Sequence, residues 1–286
     1  MDLYDALGLG RASGGRVVAI VGGGGKTASL FALGAAVAER GGRALLATTT
    51  HIRDPRLEEG RRFDRVIVDP RFALPPDEAG GAGALSSLRV REAPSITVLG
   101  GSLEEGSDGE VSRLCAVDPA WPLRLAPGFD LVAVEADGSR CLPVKAPAAH
   151  EPALPEGPDI VLGLIGLDCL GKPMGGATVH RPELFAAVTG CAQGGRIRAE
   201  HLLALALSGD GLFKGCAHGA RRVLLLNKAD LIGAAEAAES FAFLASRGAA
   251  DLILLAAMGK GGSSSGEQVL ERADCASCGA ARGVGL

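Results

Sequence analysis

The sequence is poor in aromatic residues, carries little net charge and has no long apolar run. Aromatic side chains make up 3% of its 286 residues, so valine, leucine, isoleucine and alanine must build the core. The net charge of −4 offers no cationic surface for nucleic acid or acidic lipid. No apolar run approaches the ~20 residues that span a bilayer, and the acidic start, MDLYD, lacks a signal peptide's basic residues. We therefore expect a cytoplasmic protein without nucleic-acid or membrane partners.

The seven cysteines define no disulfide framework. An odd number of cysteines in a cytoplasmic chain favours thiols. Only Cys275 and Cys278 have C-x-x-C spacing, and one such pair supplies two of the four ligands of a closed zinc site. The pair lies in a Gly/Ala-rich tail, whereas a redox-active pair usually opens a helix. We expect neither a metal site nor a redox function there.

Continuous apolar runs are the clearest structural signal, because strands buried on both faces of a parallel sheet show no alternation. The runs that predict strands are residues 17–21, 44–47, 65–68, 96–99, 131–134, 160–165, 223–226 and 252–255. Helical periodicity separates several of them, most clearly in residues 27–40, 196–207 and 234–247. Irregular Pro/Gly-rich stretches interrupt the pattern at residues 74–84, 100–109 and 142–158.

The repeated order of strand, helix and strand predicts right-handed crossovers with helices on both faces of a sheet. The predicted fold class is α/β, with a mostly parallel, doubly wound sheet like that of the P-loop NTPases. No repeat and no clear linker divides the chain, so residues 1–286 are interpreted as a single nucleotide-binding domain. It includes a flexible Gly/Ser-rich segment near residues 259–266 and a C-terminal tail.

A glycine-rich segment joins the first predicted strand to the first predicted helix, which is the context that a phosphate-binding loop requires. Glycines let backbone amides converge on phosphate oxygens, and the helix start adds partial positive charge. We expect Lys26 to reach the terminal phosphates as a catalytic residue at the sheet edge, outside the core, and the Thr27 hydroxyl to bind Mg²⁺. The residues assigned to nucleotide binding here are Gly22, Gly23, Gly24, Gly25, Lys26, Thr27 and Ala28.

The segment reads GxxGKT, which is shorter than the usual GxxxxGK[ST] and resembles the loop of the Mur ligases. A tight turn without a ligand gives no reason for lysine and threonine at the helix start. A Rossmann dinucleotide site would not require Lys26. The residues therefore favour a P-loop.

Two carboxylates follow the apolar strand predicted at residues 129–134. Glu135 and Asp137 are two residues apart, so both can face the carboxyl edge of the sheet, where ligands of open α/β sheets bind. A carboxylate there normally completes the Mg²⁺ shell. We predict that Glu135 and Asp137 are catalytic and bind the metal together with Thr27. A solvated turn is the alternative.

Three threonines and a histidine follow the second predicted strand. Beside the phosphate loop, the Thr49 hydroxyl is placed to contact the γ-phosphate or the attacking water, which would make Thr49 catalytic. Threonines at strand ends are also common without such a role, and both interpretations stay open. His51 is assigned to substrate or partner contact.

A guanine-recognition motif follows the strand predicted at residues 223–226. Asn227, Lys228 and Asp230 match the NKxD pattern of GTPases. In that pattern the aspartate accepts hydrogen bonds from guanine N1 and N2, the lysine stem stacks on the ring, and the asparagine braces the loop. Ala257, after the next strand, occupies the place where a backbone amide meets guanine O6. The motif favours GTP over ATP, and an ordinary polar turn is the alternative.

Several segments together resemble the YqeC family. They are VGGGGKT with TTTHI in residues 21–51, EADGSRCLPVKAPAAHEPALP in 135–155, GLDCLGKP with VHRPE in 166–183, and GLFKG with NKAD in 211–230. The resemblance extends over most of the chain and is most specific in EADGS followed by KAPAxHEP. It implies a role in maturing a selenium-dependent molybdenum hydroxylase. The implied partners are that hydroxylase or the proteins that handle its cofactor.

A proline-rich loop after the predicted metal strand carries Lys145, His150 and Glu151. Loops of this kind at the carboxyl edge of a sheet contact substrates or partners. A rigid surface loop with solvated charges is the alternative, and the sequence does not decide between them. His180 and Arg181, at the start of a predicted helix, are two further groups that can meet an anion.

These residues favour a GTP-dependent accessory protein with Mg²⁺ as cofactor, in which nucleotide state controls the delivery of another cofactor. The alternative is a ligase or transferase that activates a small acidic substrate with ATP. The GxxGKT loop favours that alternative, and the NKAD motif opposes it. A nucleotide-binding scaffold without turnover is a third interpretation.

Overall fold

The computed structural model describes residues 1–10, 15–88, 92–105, 112–258 and 267–275, which contain both helices and strands. The α-helices in these ranges are α1 Leu3–Leu7, α2 Lys26–Glu39, α3 Gly81–Leu88, α4 Trp121–Leu125, α5 Pro182–Thr189, α6 Ala199–Leu207 and α7 Ala234–Ser246. The strands are β1 Arg16–Gly22, β2 Arg43–Thr48, β3 His51–Arg53, β4 Arg65–Val68, β5 Ser95–Gly100, β6 Leu103–Glu104, β7 Arg113–Cys115, β8 Leu131–Glu135, β9 Val144–Lys145, β10 Ile160–Gly166, β11 Val179–His180, β12 Arg221–Asn227, β13 Leu252–Met258 and β14 Glu267–Asp274.

A nine-stranded sheet forms the centre of the molecule, in the order β14-β13-β12-β10-β1-β8-β2-β5-β4. All its pairings are parallel except that of β13 with β14. The parallel strands are those predicted from the apolar runs, so the prediction of an α/β fold with a mostly parallel sheet is confirmed. β14 was not predicted, because Glu271, Arg272 and Asp274 interrupt any apolar run. Charged residues of this kind are typical of an edge strand.

Helices cover both faces of the sheet, because successive side chains on each strand point to opposite faces. On one face, Val18 and Ile20 of β1 belong to a buried cluster with α1 and α2. On the other face, α5, α6 and α7 cover β10, β12 and β13. α3 and α4 cover β2, β5 and β8 on that same face, where the Trp121 side chain is fully buried. The sheet is therefore doubly wound, as the sequence predicts.

The carboxyl ends of the parallel strands meet along one edge of the sheet. The register places Glu135 beside Ile20 on one side and Thr48 on the other. It also places Asn227 beside Gly166. β1 lies between β8 and β10, with β2 farther out on one side and β12 on the other. Ligands of open α/β sheets bind at this edge, next to the strand where the order reverses.

Two small sheets lie in the connections that follow these strands. β3, β7 and β6 form an antiparallel sheet, and β9 pairs with β11. The stretches 100–109 and 142–158, which we expected to be irregular, therefore contain short strands. No helix in the described part of the chain is long and apolar enough to cross a membrane. Cys278 and the Gly/Ser-rich segment 259–266 lie outside the described residues.

Candidate functional site

The loop between β1 and α2 has a backbone that favours glycine. The φ angles of Gly22, Gly24 and Gly25 are 94°, 84° and 129°. A Cβ atom on Gly24 would lie 2.4 Å from the amide nitrogen of Gly166, and one on Gly25 would lie 2.4 Å from the Asn227 side chain. Side chains are excluded both by conformation and by close packing. The run of glycines is thus explained by the loop's shape and its neighbours.

The backbone amides of this loop fall into two groups. Those of Gly22, Gly23 and Gly24 donate to the Asp137 carboxylate and to the carbonyls of Leu164 and Leu142, over 3.0 to 3.1 Å. The first amide that bonds within α2 belongs to Ser29, which donates to Gly25 over 3.0 Å. The four amides of residues 25–28 therefore stand at the start of the helix without intrahelical acceptors. These four, and not the three glycine amides before them, are placed to receive an anion.

The Lys26 side chain is buried, with 4% of the residue exposed. Its Nζ donates to the Gly22 carbonyl over 2.7 Å. The same atom lies 3.3 Å from Asp137 Oδ1 and 3.8 Å from Glu135 Oε1. The expectation that Lys26 lies outside the core was wrong, because its ammonium group pairs with two buried carboxylates at and just after the end of β8.

Thr27 and Glu135 meet at the start of α2 and the end of β8. The Thr27 hydroxyl donates to Glu135 Oε2 over 2.8 Å. Burial raises the pKa of Glu135, although Lys26 and the Thr27 hydrogen bond oppose that effect. A hydroxyl from the loop beside a strand-end carboxylate is the pair that holds Mg²⁺ in P-loop NTPases. The sequence predicted this pair from two positions 108 residues apart.

Asp137 contacts the loop between β1 and α2 and also belongs to a buried ion-pair network. One of its oxygens pairs with Lys26, and the other lies 3.1 Å from Lys145 Nζ. Lys145 is 1% exposed and also donates to Gly138 O and, over 2.7 Å, to Glu151. The alternative of a loop with solvated charges was wrong for Lys145 and Glu151, since both are buried and paired. His150, between them in sequence, is exposed.

Arg181, the residue after β11, completes this network. The pairing of β9 with β11 brings residues 180–181 beside Lys145, and Arg181 donates to both oxygens of Glu151. Although burial raises the pKa of Glu151, hydrogen bonds from Lys145 and Arg181 lower it to about 2. For His180, burial and the charges of Arg181 and Lys145 lower the pKa. Negative and positive side chains thus alternate along the ion-pair network that runs from Glu135 through Lys26 to Arg181.

The threonines after β2 brace the edge of the sheet. The Thr48 hydroxyl donates to the Glu135 carbonyl over 3.0 Å, and the Thr49 amide donates to the same carbonyl over 3.1 Å. The Thr49 hydroxyl donates to the Ala153 carbonyl over 2.6 Å. Thr49 thus holds the loop of residues 142–158 against the end of β8. His51 is on β3, apart from these contacts.

Asn227 connects the NKxD segment, residues 227–230, to the glycine-rich loop between β1 and α2. Its side-chain amide donates to the Gly24 carbonyl over 2.8 Å, and its side-chain oxygen accepts from the Met258 amide over 2.8 Å. Asn227 is fully buried. The bracing role that the sequence predicted for this asparagine is therefore visible in the contacts of its side chain.

The other residues of this segment lie nearer the surface. Lys228 has a φ of 62°, and its Nζ lies 3.1 Å from Asp168. Asp230 is exposed, and Ala257 is half-buried near the end of β13. Asp168 was not singled out by the sequence, although it lies two residues after the end of β10. One of its oxygens is buried and has no hydrogen-bond partner in the described part of the chain.

Comparison with known proteins agrees with the segments noted in the sequence. The model of the YqeC protein family matches residues 18–183. The chain is also 32% identical over 212 residues to the Uncharacterized protein YqeC of Escherichia coli strain K12, covering 74% of this chain and 75% of that protein. The chain belongs to the YqeC family. No solved structure matches it significantly.

The YqeC match contains most of the site described above. It includes the glycine-rich loop, the end of β8 and the complete ion-pair network as far as Arg181. It ends before Asn227, so residues 227–230 lie outside the part that the YqeC family model matches. The glycine-rich loop and the ion-pair network are therefore the part of the site that is tied most directly to the family.

Proposed function

We propose that this YqeC-family protein binds a nucleoside triphosphate with Mg²⁺ at residues 22–28 and hydrolyses it. The observation that carries the proposal is the meeting of Thr27, Glu135 and Lys26. The Thr27 hydroxyl is 2.8 Å from the Glu135 carboxylate, and Lys26 Nζ is 3.8 Å from its other oxygen. A hydroxyl and a carboxylate form the Mg²⁺ ligand pair, and a lysine at the helix start binds phosphate.

Each residue has a distinct task in this proposal. The unpaired amides at the start of α2 bind phosphate oxygens with help from the helix dipole. When the nucleotide binds, the Lys26 side chain gives up its hydrogen bond to the Gly22 carbonyl and contacts the terminal phosphates instead. Because burial raises the pKa of Glu135, ionisation of Glu135 limits metal binding at low pH. Mg²⁺ affinity should therefore increase as the pH rises through that pKa.

The preferred nucleotide in this proposal is GTP. Asp230 offers an exposed carboxylate to the guanine N1 and N2 donors, and Asn227 holds this segment to the phosphate loop over 2.8 Å. The Lys228 stem supplies the surface on which the ring stacks, and the backbone at Ala257 contacts O6. ATP is the alternative nucleotide.

The cellular role we assign is maturation of a selenium-dependent molybdenum hydroxylase, which follows from the YqeC resemblance. In this role the nucleotide state controls delivery of a cofactor to the hydroxylase, and the loop with His150 contacts substrate or partner. An ATP-dependent ligase or transferase that acts on a small acidic substrate is the second candidate. The short GxxGKT pattern supports it.

The Mg²⁺ assignment is tested with Glu135→Gln. This change keeps the hydrogen bond from Thr27 but removes the charge that attracts the metal. We expect GTP hydrolysis at saturating Mg²⁺ to fall by about 10- to 100-fold, while GTP affinity changes only a few-fold. Phosphate release and calorimetric binding measure the two effects.

Glu156→Gln is the matched control, because Glu156 is an exposed carboxylate in the segment that follows β8. It should leave both quantities unchanged. Normal turnover by Glu135→Gln would contradict the assigned role of Glu135, and equal losses in the two variants would show that the effect is not specific.

The cellular role is tested by deleting the gene in its native organism. The hydroxylase should lose activity while its polypeptide level stays constant, because maturation follows synthesis. Complementation with the parent gene should restore activity, and complementation with Glu135→Gln should not. Normal hydroxylase activity in the deletion strain would exclude this role and leave the nucleotide chemistry to be explained otherwise.

A further inference from the structure

A second group of potential ligands lies on the small sheet of β3, β6 and β7. His51 is on β3, Glu104 on β6 and Cys115 on β7. One ligand atom from each lies within 4.8 Å of the other two. None of the three takes part in the nucleotide chemistry proposed above, so the group needs its own explanation.

Strand pairing fixes these three side chains on one face of the small sheet. His51 is directly opposite Cys115 in the antiparallel pair of β3 and β7, which sets their Cβ atoms about 4.5 to 5.5 Å apart. Glu104 is opposite Arg113, which is two residues from Cys115 and therefore on the same face. The register, and not chance rotation of flexible side chains, brings the three together.

The opposite face of this sheet is apolar and anchored. Ile52 and Leu114 belong to the main buried cluster, with 3% and 0% of their surface exposed. The Cys115 amide also donates to the Ser102 carbonyl over 2.9 Å. The backbone that carries the ligands is thus held in place, while the ligand side chains on the other face keep access to solvent.

We infer that His51, Glu104 and Cys115 form a binding site for a divalent transition metal of the zinc class. Imidazole, carboxylate and thiolate are the ligands that zinc uses in proteins. A thiolate disfavours Mg²⁺ and Ca²⁺, which prefer oxygen ligands. Three protein ligands leave the fourth position of a tetrahedral ion to water or substrate, as in catalytic zinc sites.

The geometry requires only a small adjustment. Zinc bonds of about 2.0 to 2.3 Å place the ligands of a tetrahedral ion less than ~4 Å apart, compared with the 4.8 Å limit found here. His51 and Glu104 are exposed and can rotate to close this difference. The negative charges of the thiolate and carboxylate balance the metal, and Arg53 and Arg113 on the same face are positive groups that oppose it.

This site borders the nucleotide site. Thr49 and Thr50 connect β2 to β3, and the Thr49 amide donates to the Glu135 carbonyl. On the other strand, the Val117 amide, two residues after Cys115, donates to the Thr48 carbonyl over 2.8 Å. The metal site therefore shares its supporting backbone with the end of β8, but its existence does not depend on nucleotide hydrolysis.

Cobalt titration tests the inference, because Co²⁺ substitutes for zinc and reports a thiolate ligand by charge-transfer absorption. The full chain, reduced and freed of metal by a chelator, is titrated with Co²⁺ alone and then with Zn²⁺. We expect one Co²⁺ per chain, with a charge-transfer band that Zn²⁺ removes. Cys115→Ser should abolish the band, and His51→Gln and Glu104→Gln should each weaken affinity by at least ~10-fold.

Cys141→Ser and His218→Gln are matched controls, since each alters an exposed side chain of the same type elsewhere. Both should bind cobalt like the parent, and circular dichroism checks that every variant is folded. The inference is overturned if the titration gives no charge-transfer band, if the band survives Cys115→Ser, or if the controls lose it equally. A band that survives Cys115→Ser would assign the metal to another thiol of the chain.

Discussion

Asp230→Asn is expected to lose GTP and to gain xanthosine triphosphate. In the proposed guanine contact, the Asp230 carboxylate would accept hydrogen bonds from guanine N1–H and from the exocyclic N2 amine, which are both donors. Adenine presents an acceptor at N1 and no amine at position 2, so it leaves the carboxylate unpaired. Paired base contacts of this kind discriminate by ~1–3 kcal/mol. The parent should therefore bind GTP at least about tenfold more tightly than ATP.

In Asp230→Asn, one hydrogen-bond acceptor of the carboxylate is replaced by a donor. Its amide both donates and accepts, and xanthine carries an oxygen where guanine has its amine. Competitive binding of GTP, ATP and xanthosine triphosphate to parent and variant measures the change. Asp77→Asn alters an exposed aspartate that is far from Asp230 in the sequence. This variant should bind the three nucleotides in the same order of affinity as the parent. If the parent prefers ATP, or if Asp230→Asn leaves the ranking unchanged, residues 227–230 are only a turn.

Lys26→Met is expected to impair both stability and nucleotide binding. The lysine balances Asp137 and Glu135 in a buried setting, at 3.3 and 3.8 Å. Removing one partner of a buried ion pair typically destabilises a protein by about 3–5 kcal/mol. Loss of a charged contact to phosphate worth ~2.7 kcal/mol would weaken nucleotide binding about 100-fold. A single variant cannot separate the two effects, because an unfolded chain binds nothing.

The double variant Lys26→Met with Asp137→Asn separates them. It removes one negative charge together with the positive one, while Lys145 keeps its contact with Glu151. Thermal unfolding should show that stability is largely restored, and calorimetry should show that nucleotide affinity is not. If the double variant recovers GTP affinity as well, Lys26 serves the fold alone and the P-loop assignment fails.

The main sheet was predictable because its strands are buried on both faces. Such strands need unbroken apolar runs, and residues 17–21 and 160–165 have the length and composition of a buried parallel strand. The strands that the sequence did not predict are short or lie at an edge. β9 and β11 have two residues each, which are too few to show an alternation of apolar and polar residues. β14 pairs with a neighbouring strand on one side only.

The candidate site was predictable where it depends on the ends of strands. The Thr27–Glu135 pair and the contact of Asn227 with the loop follow from the rule that parallel strands end at the same edge. The salt bridges of Asp168 and Arg181 depend instead on which loops pack together. Lys145 looked like a surface residue because the sequence does not show that Asp137, Glu151 and the Gly138 carbonyl surround it.

The hydrogen bond from Asn227 to Gly24 spans 203 residues of sequence, and this has a consequence for when the proposed nucleotide site can form. Chains emerge from the ribosome N-terminus first, so β1 and α2 exist long before β12 and β13. Until residue 227 has been made, the Gly24 carbonyl lacks Asn227, and until residue 258 has been made, Asn227 lacks the Met258 amide. The phosphate loop can therefore reach its final form only near the end of synthesis. Nascent or C-terminally truncated chains should not compete with the finished protein for nucleotide.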